Sequence, residues 1–136
     1  MKIMIVEDDI DINNLLKELL SEEGYEITQC FTAREALLME ISEFDLILLD
    51  LMMPFMTGED FIKEVRKKGM SIPIIVLSAK IDKETRIGVL KDGADDFITK
   101  PFDFDDVLAR VEANIRRYRD FTKEIKKLEV KDLKYN

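Results

Sequence analysis

Five short apolar runs alternate with stretches of helical periodicity along the 136-residue sequence, and this alternation rules out most folds. The runs predict β-strands at residues 2–6, 25–30, 45–49, 73–77 and 96–99. The first, third and fourth runs are apolar throughout, as in parallel strands that helices cover on both faces. The second run alternates polar and apolar residues, which is typical of an edge strand. The sequence therefore predicts an α/β fold with a doubly wound, five-stranded parallel sheet.

The segments between the runs carry the spacing and the capping residues of α-helices. Thr32 and Glu35 have the spacing of a capping box, and Thr57 is a second candidate N-cap. A further helix is expected after Pro101. The apolar side chains of the first helix predict one buried stripe, formed by Ile12, Leu15, Leu16, Leu19 and Leu20.

Composition excludes several classes of function. The sequence has no histidine, so it has no Ser-His-Asp or Cys-His catalytic system and no histidine-ligated zinc site. Its one cysteine, Cys30, cannot form an internal disulfide and fits a reducing cytosol. No apolar stretch reaches the length of about 20 residues that a membrane helix needs. We therefore expect a cytoplasmic protein without a membrane partner.

Charge is distributed unevenly between the two parts of the sequence. The whole chain has a net charge of −8, and residues 1–109 carry 24 acidic against 12 basic side chains. This acidic part would repel nucleic acid phosphates, so we do not expect it to bind DNA directly. Residues 110–136 are net basic.

The polar residues of interest stand where the predicted strands end. In a parallel sheet these positions meet at one edge, where functional groups collect. Each residue also has an ordinary alternative, since an isolated Asp or Ser is often a helix cap or a turn residue. The convergence of the whole set is less easily explained in that way. The set consists of Glu7, Asp8, Asp9, Asp50, Ser78 and Lys100.

Closely spaced carboxylates repel one another unless one is protonated or a cation neutralises them. Oxygen ligands without histidine or cysteine favour a hard cation such as Mg²⁺ over Zn²⁺. A carboxylate beside Mg²⁺, with a lysine and a hydroxyl group nearby, is suited to attack phosphorus. The sequence thus predicts a magnesium-dependent phosphoryl site.

The motifs that carry these residues resemble the receiver domain of two-component response regulators over residues 1–119. They are VEDD at 6–9, LLDLMMPFMTG at 48–58, LSA at 77–79 and GADDFITKPF at 93–102. The resemblance implies a flavodoxin-like sheet of strand order 2-1-3-4-5. It also implies that a sensor histidine kinase phosphorylates the chain, which would be a signalling domain and not an enzyme with a conventional substrate.

The resemblance also implies roles for the residues of the acidic set. Asp50 would be the phosphoacceptor, and Lys100 would contact the phosphoryl group. Mg²⁺ would be bound by Asp8, Asp9, Asp50 and the backbone carbonyl of Met52.

Other residues match the conformational switch of the family. Ser78 would be the hydroxyl group that moves toward the phosphoryl group, and Phe97 matches a rotating aromatic residue that is often tyrosine. The Lys100–Pro101 peptide bond matches one that is cis in the family. Met52 and Lys80 occupy variable positions that influence the lifetime of the phosphoryl group.

The sequence is most similar to receivers of the OmpR/PhoB (winged-helix) subfamily. That similarity implies that residues 120–136 form a linker and the start of a C-terminal DNA-binding effector domain, so that DNA binding requires this further domain. It further implies a phosphorylation-favoured homodimer through the face of the fourth helix, fifth strand and fifth helix. The intersubunit ion pairs would be Arg86 with Asp106, Asp96 with Arg110, and Asp95 with Arg117.

Several alternatives remain at this point. A phosphatase of the haloacid dehalogenase type would need a second Asp two residues after the nucleophile, where this sequence has Met52. A flavodoxin-like cofactor binder would need a phosphate-binding first loop, where this sequence has EDDID. A stand-alone receiver that acts through protein–protein interaction would use the same site without an effector domain, and its last residues would extend the fifth helix.

Overall fold

The computed structural model describes residues 1–79 and 82–135, with side chains described as far as residue 129. The strands are β1 (Lys2–Val6), β2 (Glu26–Cys30), β3 (Leu46–Asp50), β4 (Ile74–Ser78) and β5 (Asp96–Thr99). The helices are α1 (Ile10–Glu22), α2 (Ala33–Leu37), α3 (Gly58–Lys67), α4 (Lys83–Asp92) and α5 (Phe104–Tyr135). A single turn of 3₁₀ helix lies at Ile41–Glu43.

All five strands pair in parallel in the order β2-β1-β3-β4-β5, which confirms the predicted fold and strand order. β2 is an edge strand, as its alternating pattern indicated. β3 and β4 each end one residue later than predicted, because Asp50 and Ser78 continue the ladder. Asp50 is in register with Leu77, and Ser78 is in register with Thr99.

Apolar side chains form one core layer on each face of the sheet. The layer under α1 and α5 contains Leu16, Leu20, Val107, Val111 and Ile115. The layer under α2, α3 and α4 contains Ala33, Ala36, Phe61, Ile62, Val65 and Val89. Successive strand residues alternate between the layers, so that both faces of the central strands are buried.

The buried face of α1 differs from the predicted stripe. Leu15 is 47% exposed, whereas Asn13 is fully buried and takes the position one turn before Leu16. Helical geometry places residues three and four apart on one face, so Asn13, Leu16 and Leu20 share the buried side. The prediction was wrong for Leu15 because it ranked positions by hydrophobicity alone.

The helix caps agree with the sequence pattern. The Thr32 hydroxyl group accepts from the backbone N–H of Glu35 at 3.0 Å, and Thr57 accepts from Asp60 at 3.2 Å. The Glu35 carboxylate accepts from the N–H of Phe31, the residue before the N-cap. The two threonine bonds satisfy backbone donors that a helix start leaves unpaired.

α5 continues to Tyr135 and includes residues 120–135 of the predicted linker segment. No glycine or proline interrupts the sequence after Pro101, so the helix can continue. Within the described ranges, no helix combines the length and the apolar character that crossing a membrane requires.

Candidate functional site

Three carboxylates meet at the carboxyl edge of the sheet. Glu7 and Asp8 follow β1, and Asp50 ends β3. One carboxylate oxygen from each residue lies within 4.8 Å of the other two. Glu7 and Asp50 are buried, at 1% and 4% exposure, while Asp8 is exposed. The cluster therefore combines two desolvated acids with one that solvent can reach.

Lys100, which follows β5, supplies the positive charge of the site. Its ammonium nitrogen lies 2.5 Å from Oε1 of Glu7 and 3.4 Å from Oδ1 of Asp50. Burial lowers the pKa of Lys100, but hydrogen bonding to Glu7 and the charge of Asp50 outweigh burial and raise it above the usual value. Lys100 therefore stays protonated and compensates one of the two buried negative charges.

Asp50 is the carboxylate whose ionisation the site disfavours. Its burial, together with the hydrogen bond and the charge of Glu7, raises the pKa of Asp50 to about 7. Lys100 and the N–H of Met52, which donates to Asp50 at 3.3 Å, act in the opposite direction. A divalent cation near Asp50 would favour the ionised form of this carboxylate. Three oxygen ligands of this kind fit Mg²⁺.

The structure does not place Asp9 in the carboxylate cluster. Asp9 precedes α1, and its side chain accepts the N–H of Ile12 at 3.1 Å as the N-cap of that helix. Glu7 takes the place in the cluster that the sequence analysis assigned to Asp9. The sequence analysis included Glu7 in the polar set at the strand ends, because it follows an apolar strand, but did not assign it to the metal site. In the structure its N–H continues the β1–β2 ladder by donating to Cys30 at 3.0 Å.

Asn13 is a second residue whose role near the site the sequence did not reveal. Its side-chain nitrogen donates to the backbone carbonyls of Glu7 at 2.9 Å and Cys30 at 3.1 Å. Its oxygen accepts from the side chain of Gln29 at 3.1 Å. Asn13 thus ties the first turns of α1 to the ends of β1 and β2, and it anchors the backbone of Glu7.

Gly58 sets the approach of α3 to the end of β3. A Cβ atom at this position would lie 2.8 Å from Cα of Leu51 and 2.9 Å from the carbonyl oxygen of Asp50. These neighbours are backbone atoms that cannot move aside without shifting the loop. The glycine of the LLDLMMPFMTG motif therefore lets the helix pack directly behind Asp50.

The residues assigned to the switch lie on β4 and β5. Ser78 is fully buried at the end of β4, and its carbonyl oxygen accepts the N–H of Lys100 at 2.9 Å. Phe97 is partly buried against the core layer under α2, α3 and α4. The Lys100–Pro101 peptide bond is cis, in agreement with the resemblance. Lys80 lies outside the described residues.

The residues assigned to intersubunit ion pairs have contacts within the chain. Arg110 lies 2.8 Å from Asp96 and 3.0 Å from Asp106, so it contacts both carboxylates in the same chain. Asp95 pairs with Arg66 at 2.9 Å. The exposed residues Arg86 and Arg117 lie on α4 and α5.

A protein-family model described as the response regulator receiver domain matches residues 3–112. The chain belongs to the response regulator receiver family. The members of this family are signalling domains rather than catalytic enzymes. The matched range contains all four strand ends that carry the site.

Relatives of this receiver include proteins named as regulators. The regulatory protein VanR of Enterococcus faecium is 41% identical over 122 residues, which cover 89% of this chain and 52% of VanR. The receiver spans about half the length of the curated relatives that it matches.

Solved receiver structures share both the fold and a substantial part of the sequence. The Francisella response regulator 1452 receiver domain matches with a TM-score of 0.79 and 35% identity, and the match covers 85% of this chain and 97% of that one. The response regulator TrrA from Thermotoga maritima, solved in complex with Mg²⁺-BeF, matches with a TM-score of 0.74 and 36% identity. That match covers 82% of this chain and 96% of TrrA.

Proposed function

We propose that this receiver accepts a phosphoryl group on Asp50 from a sensor histidine kinase, in a Mg²⁺-dependent reaction. The observation that carries the proposal is the position of Asp50. It ends a central strand, lies within 4.8 Å of two further carboxylates, and has Lys100 at 3.4 Å. The family membership and the regulatory names of its relatives support the same function.

The proposed transfer requires a donor from another molecule, since this chain has no histidine. A carboxylate oxygen of Asp50 attacks the phosphorus of a phosphohistidine, a new O–P bond forms, and the P–N bond breaks. The histidine ring leaves with a proton taken up from solvent. Lys100 compensates charge on the phosphoryl oxygens, which would otherwise repel the anionic nucleophile. Attack by water on the resulting acyl phosphate returns Asp50 to its free form.

Glu7, Asp8 and Asp50, together with the backbone carbonyl of Met52, are the residues that would hold Mg²⁺. Their donor atoms are all oxygens, as this ion prefers. When bound, the ion would neutralise phosphoryl oxygens and favour the ionised form of Asp50. Asp9 is left out of this set because it caps α1.

Phosphorylation would act on the face formed by α4, β5 and α5. The added charge of about −1.5 to −2 lies beside Lys100 and Ser78, so inward movement of the Ser78 hydroxyl group would vacate space for Phe97. This rearrangement would bias an equilibrium that already exists between two conformations. The Ser78→Ala variant is then expected to take up phosphate without the usual change in partner affinity.

The altered face would pair with a second copy around a two-fold axis. The intersubunit pairs would be Arg86–Asp106, Asp96–Arg110 and Asp95–Arg117, each used twice. Exposed ion pairs contribute only about 0–1 kcal/mol each, so apolar contacts from Ile87, Leu90 and Ala113 would supply most of the affinity. The contacts of Arg110 with Asp96 and Asp106 within one chain would have to exchange for contacts across the interface.

We assign the chain to the OmpR/PhoB subfamily and propose that it regulates transcription through a C-terminal DNA-binding domain outside residues 1–119. A dimer of receivers would bring two such domains to adjacent half-sites. The unpaired Cys30 is compatible with the reducing cytoplasm, where we expect the receiver to act.

The proposed acceptor is tested by incubating the chain with acetyl phosphate, with and without Mg²⁺. We expect incorporation in the wild type with Mg²⁺ and in the control variant Asp92→Asn, but not in Asp50→Asn. Incorporation by Asp50→Asn at the wild-type rate would contradict the assignment.

A further inference from the structure

The seven methionines differ widely in their exposure to solvent, and the most exposed of them follows the proposed phosphoacceptor. Met52 stands two residues after Asp50 and is 64% exposed, whereas Met1 and Met39 are 42% and 36% exposed. The other four are buried or packed partly against the core, namely Met4, Met53, Met56 and Met70. An oxidant in solution would therefore reach the thioether of Met52 more readily than that of any other methionine.

Cys30 carries the one sulfur atom of the sequence outside the methionines, and it is protected from oxidation. Its side chain is fully buried at the end of β2. Burial, together with the charge of Glu35, raises the pKa of the Cys30 thiol to about 12. The thiolate is the form that oxidants attack, and this thiol stays protonated at neutral pH. Exposure and reactivity thus both single out Met52.

The backbone of Met52 contacts the proposed phosphoacceptor directly. Its N–H donates to Oδ1 of Asp50 at 3.3 Å, and the Cα atom that carries its side chain is bonded to this nitrogen. The side chain therefore begins beside the Asp50 carboxylate and extends into solvent. A thioether is only a weak hydrogen-bond acceptor, whereas a sulfoxide is polar. Oxidation at this sulfur would change how water is held next to Asp50.

We propose that Met52 is a site of reversible oxidation by peroxides, and that the methionine sulfoxide formed there shortens the lifetime of the phosphoryl group on Asp50. This inference rests on the proposed function, because it requires an acyl phosphate at Asp50. In the oxidation, a lone pair of the sulfur attacks a peroxide oxygen, the O–O bond breaks and an S–O bond forms. The proton on the transferred oxygen passes to the departing hydroxide, so that the sulfur loses two electrons and hydrogen peroxide is reduced to water.

The sulfoxide oxygen would accept a hydrogen bond from a water molecule beside Asp50. Water held in this way is positioned to attack the phosphorus, and the attack releases inorganic phosphate and free Asp50. Methionine sulfoxide reductases restore the thioether, so the effect is reversible. Peroxide would thus return the receiver to its unphosphorylated form without any change in kinase activity.

The experiment treats the wild type, Met52→Leu, Met52→Gln and the control Met39→Leu with hydrogen peroxide, which is then removed. Leucine has no sulfur, and glutamine presents a polar oxygen without oxidation. Met39 is exposed and lies between α2 and β3. Peptide mass spectrometry locates each added oxygen atom. Treated and untreated samples are labelled with acetyl phosphate, and the half-life of the label is measured in excess Mg²⁺ after removal of the donor.

We expect oxygen to be added first at Met52 and the half-life of the wild type to fall about fivefold, the rate factor for one additional hydrogen bond in the transition state. Met39→Leu should respond as the wild type does, Met52→Leu should not respond, and reductase treatment should restore the wild-type half-life. Untreated Met52→Gln should lose its label faster than untreated Met52→Leu. The unfolding temperature of the treated wild type should not change, because the oxidised side chain is exposed.

Preferential oxidation of another methionine would overturn the inference. An unchanged half-life in the chain oxidised at Met52, or an equal fall in Met52→Leu, would do the same while leaving Asp50 as the acceptor. If the untreated wild type takes up no phosphate, or takes it up at a residue other than Asp50, the proposed function itself fails and this inference fails with it.

Discussion

The ammonium group of Lys100 lies 2.5 Å from the carboxylate of Glu7, and this partly buried ion pair joins the end of β5 to the end of β1. Glu7 is therefore both a neighbour of Asp50 and the residue that holds Lys100 in the site. It has this position because its backbone continues the ladder and because Asn13 binds its carbonyl oxygen. The positive charge beside the proposed phosphoacceptor thus depends on residues far away in the sequence.

This arrangement predicts different effects for substitutions of Glu7 and of Asp9. Glu7→Gln removes a proposed ligand and the partner of Lys100, so we expect Mg²⁺ affinity to fall about tenfold, as for loss of a group that supports a metal site. Asp9→Ala removes only a helix cap, so it should cost about 1 kcal/mol of stability and leave Mg²⁺ affinity within about twofold. Calorimetric titration with Mg²⁺ and urea denaturation separate the two effects. Equal losses of Mg²⁺ affinity in both variants would mean that Asp9 belongs to the metal site.

The burial of Asn13 predicts that replacing this residue destabilises the fold more than replacing Leu15 does. Side-chain hydrophobicity alone would predict the opposite order. Asn13→Leu leaves the carbonyl oxygens of Glu7 and Cys30 buried without this donor, so we expect a loss of about 2–3 kcal/mol. The matched change Leu15→Asn affects a half-exposed position and should cost less than about 1 kcal/mol. Urea denaturation of both variants measures the difference. A larger loss in Leu15→Asn would mean that the stripe predicted from sequence is the buried one.

The sequence was sufficient to predict the fold and part of the site, but not every residue that supports the site. Apolar runs that alternate with helical segments were sufficient to predict the fold. Short runs that are apolar throughout are typical of strands that helices cover on both faces. The predicted strand ends also placed Asp50 and Lys100 at the same edge of the sheet, although side-chain positions were not known. The choice between Glu7 and Asp9 depended on which acid caps α1, a local hydrogen bond that residue type does not determine. Asn13 was missed because a polar residue on a buried face becomes recognisable only when its partners are known.

Replacement of glycine by alanine is expected to have opposite effects on stability at Gly58 and at Gly88. Gly58→Ala forces a Cβ atom against the backbone of Leu51 and Asp50, so we expect a loss of about 1–3 kcal/mol and weaker Mg²⁺ binding. Gly88→Ala, inside α4 and with nothing within 4 Å of the added atom, should gain about 0.5–1 kcal/mol. Thermal unfolding with and without Mg²⁺ measures both. If Gly58→Ala is as stable as the wild type, the close approach of α3 to β3 is not required.

The proposed dimer predicts that the oligomeric state follows phosphorylation. Sedimentation of the chain with Mg²⁺ and beryllium fluoride, a mimic of the phosphorylated state, should show a dimer, and the untreated chain should be mostly monomeric. Arg110→Glu reverses the charge facing Asp96 and Asp106 and should weaken the dimer about tenfold or more. The double exchange Asp96→Arg with Arg110→Asp should restore part of the association. Unchanged dimerisation in Arg110→Glu would mean that another face is used.

The most direct test of the proposed function is to locate the phosphoryl group on the chain. After labelling with acetyl phosphate and Mg²⁺, borohydride reduction converts an aspartyl phosphate to homoserine, and peptide mass spectrometry identifies the position. We predict conversion at Asp50 alone, dependent on Mg²⁺ and sharply reduced in Lys100→Ala. Conversion at Asp8 or Glu7 in place of Asp50, or labelling of Asp50 at the same rate without a divalent cation, would contradict the proposed function.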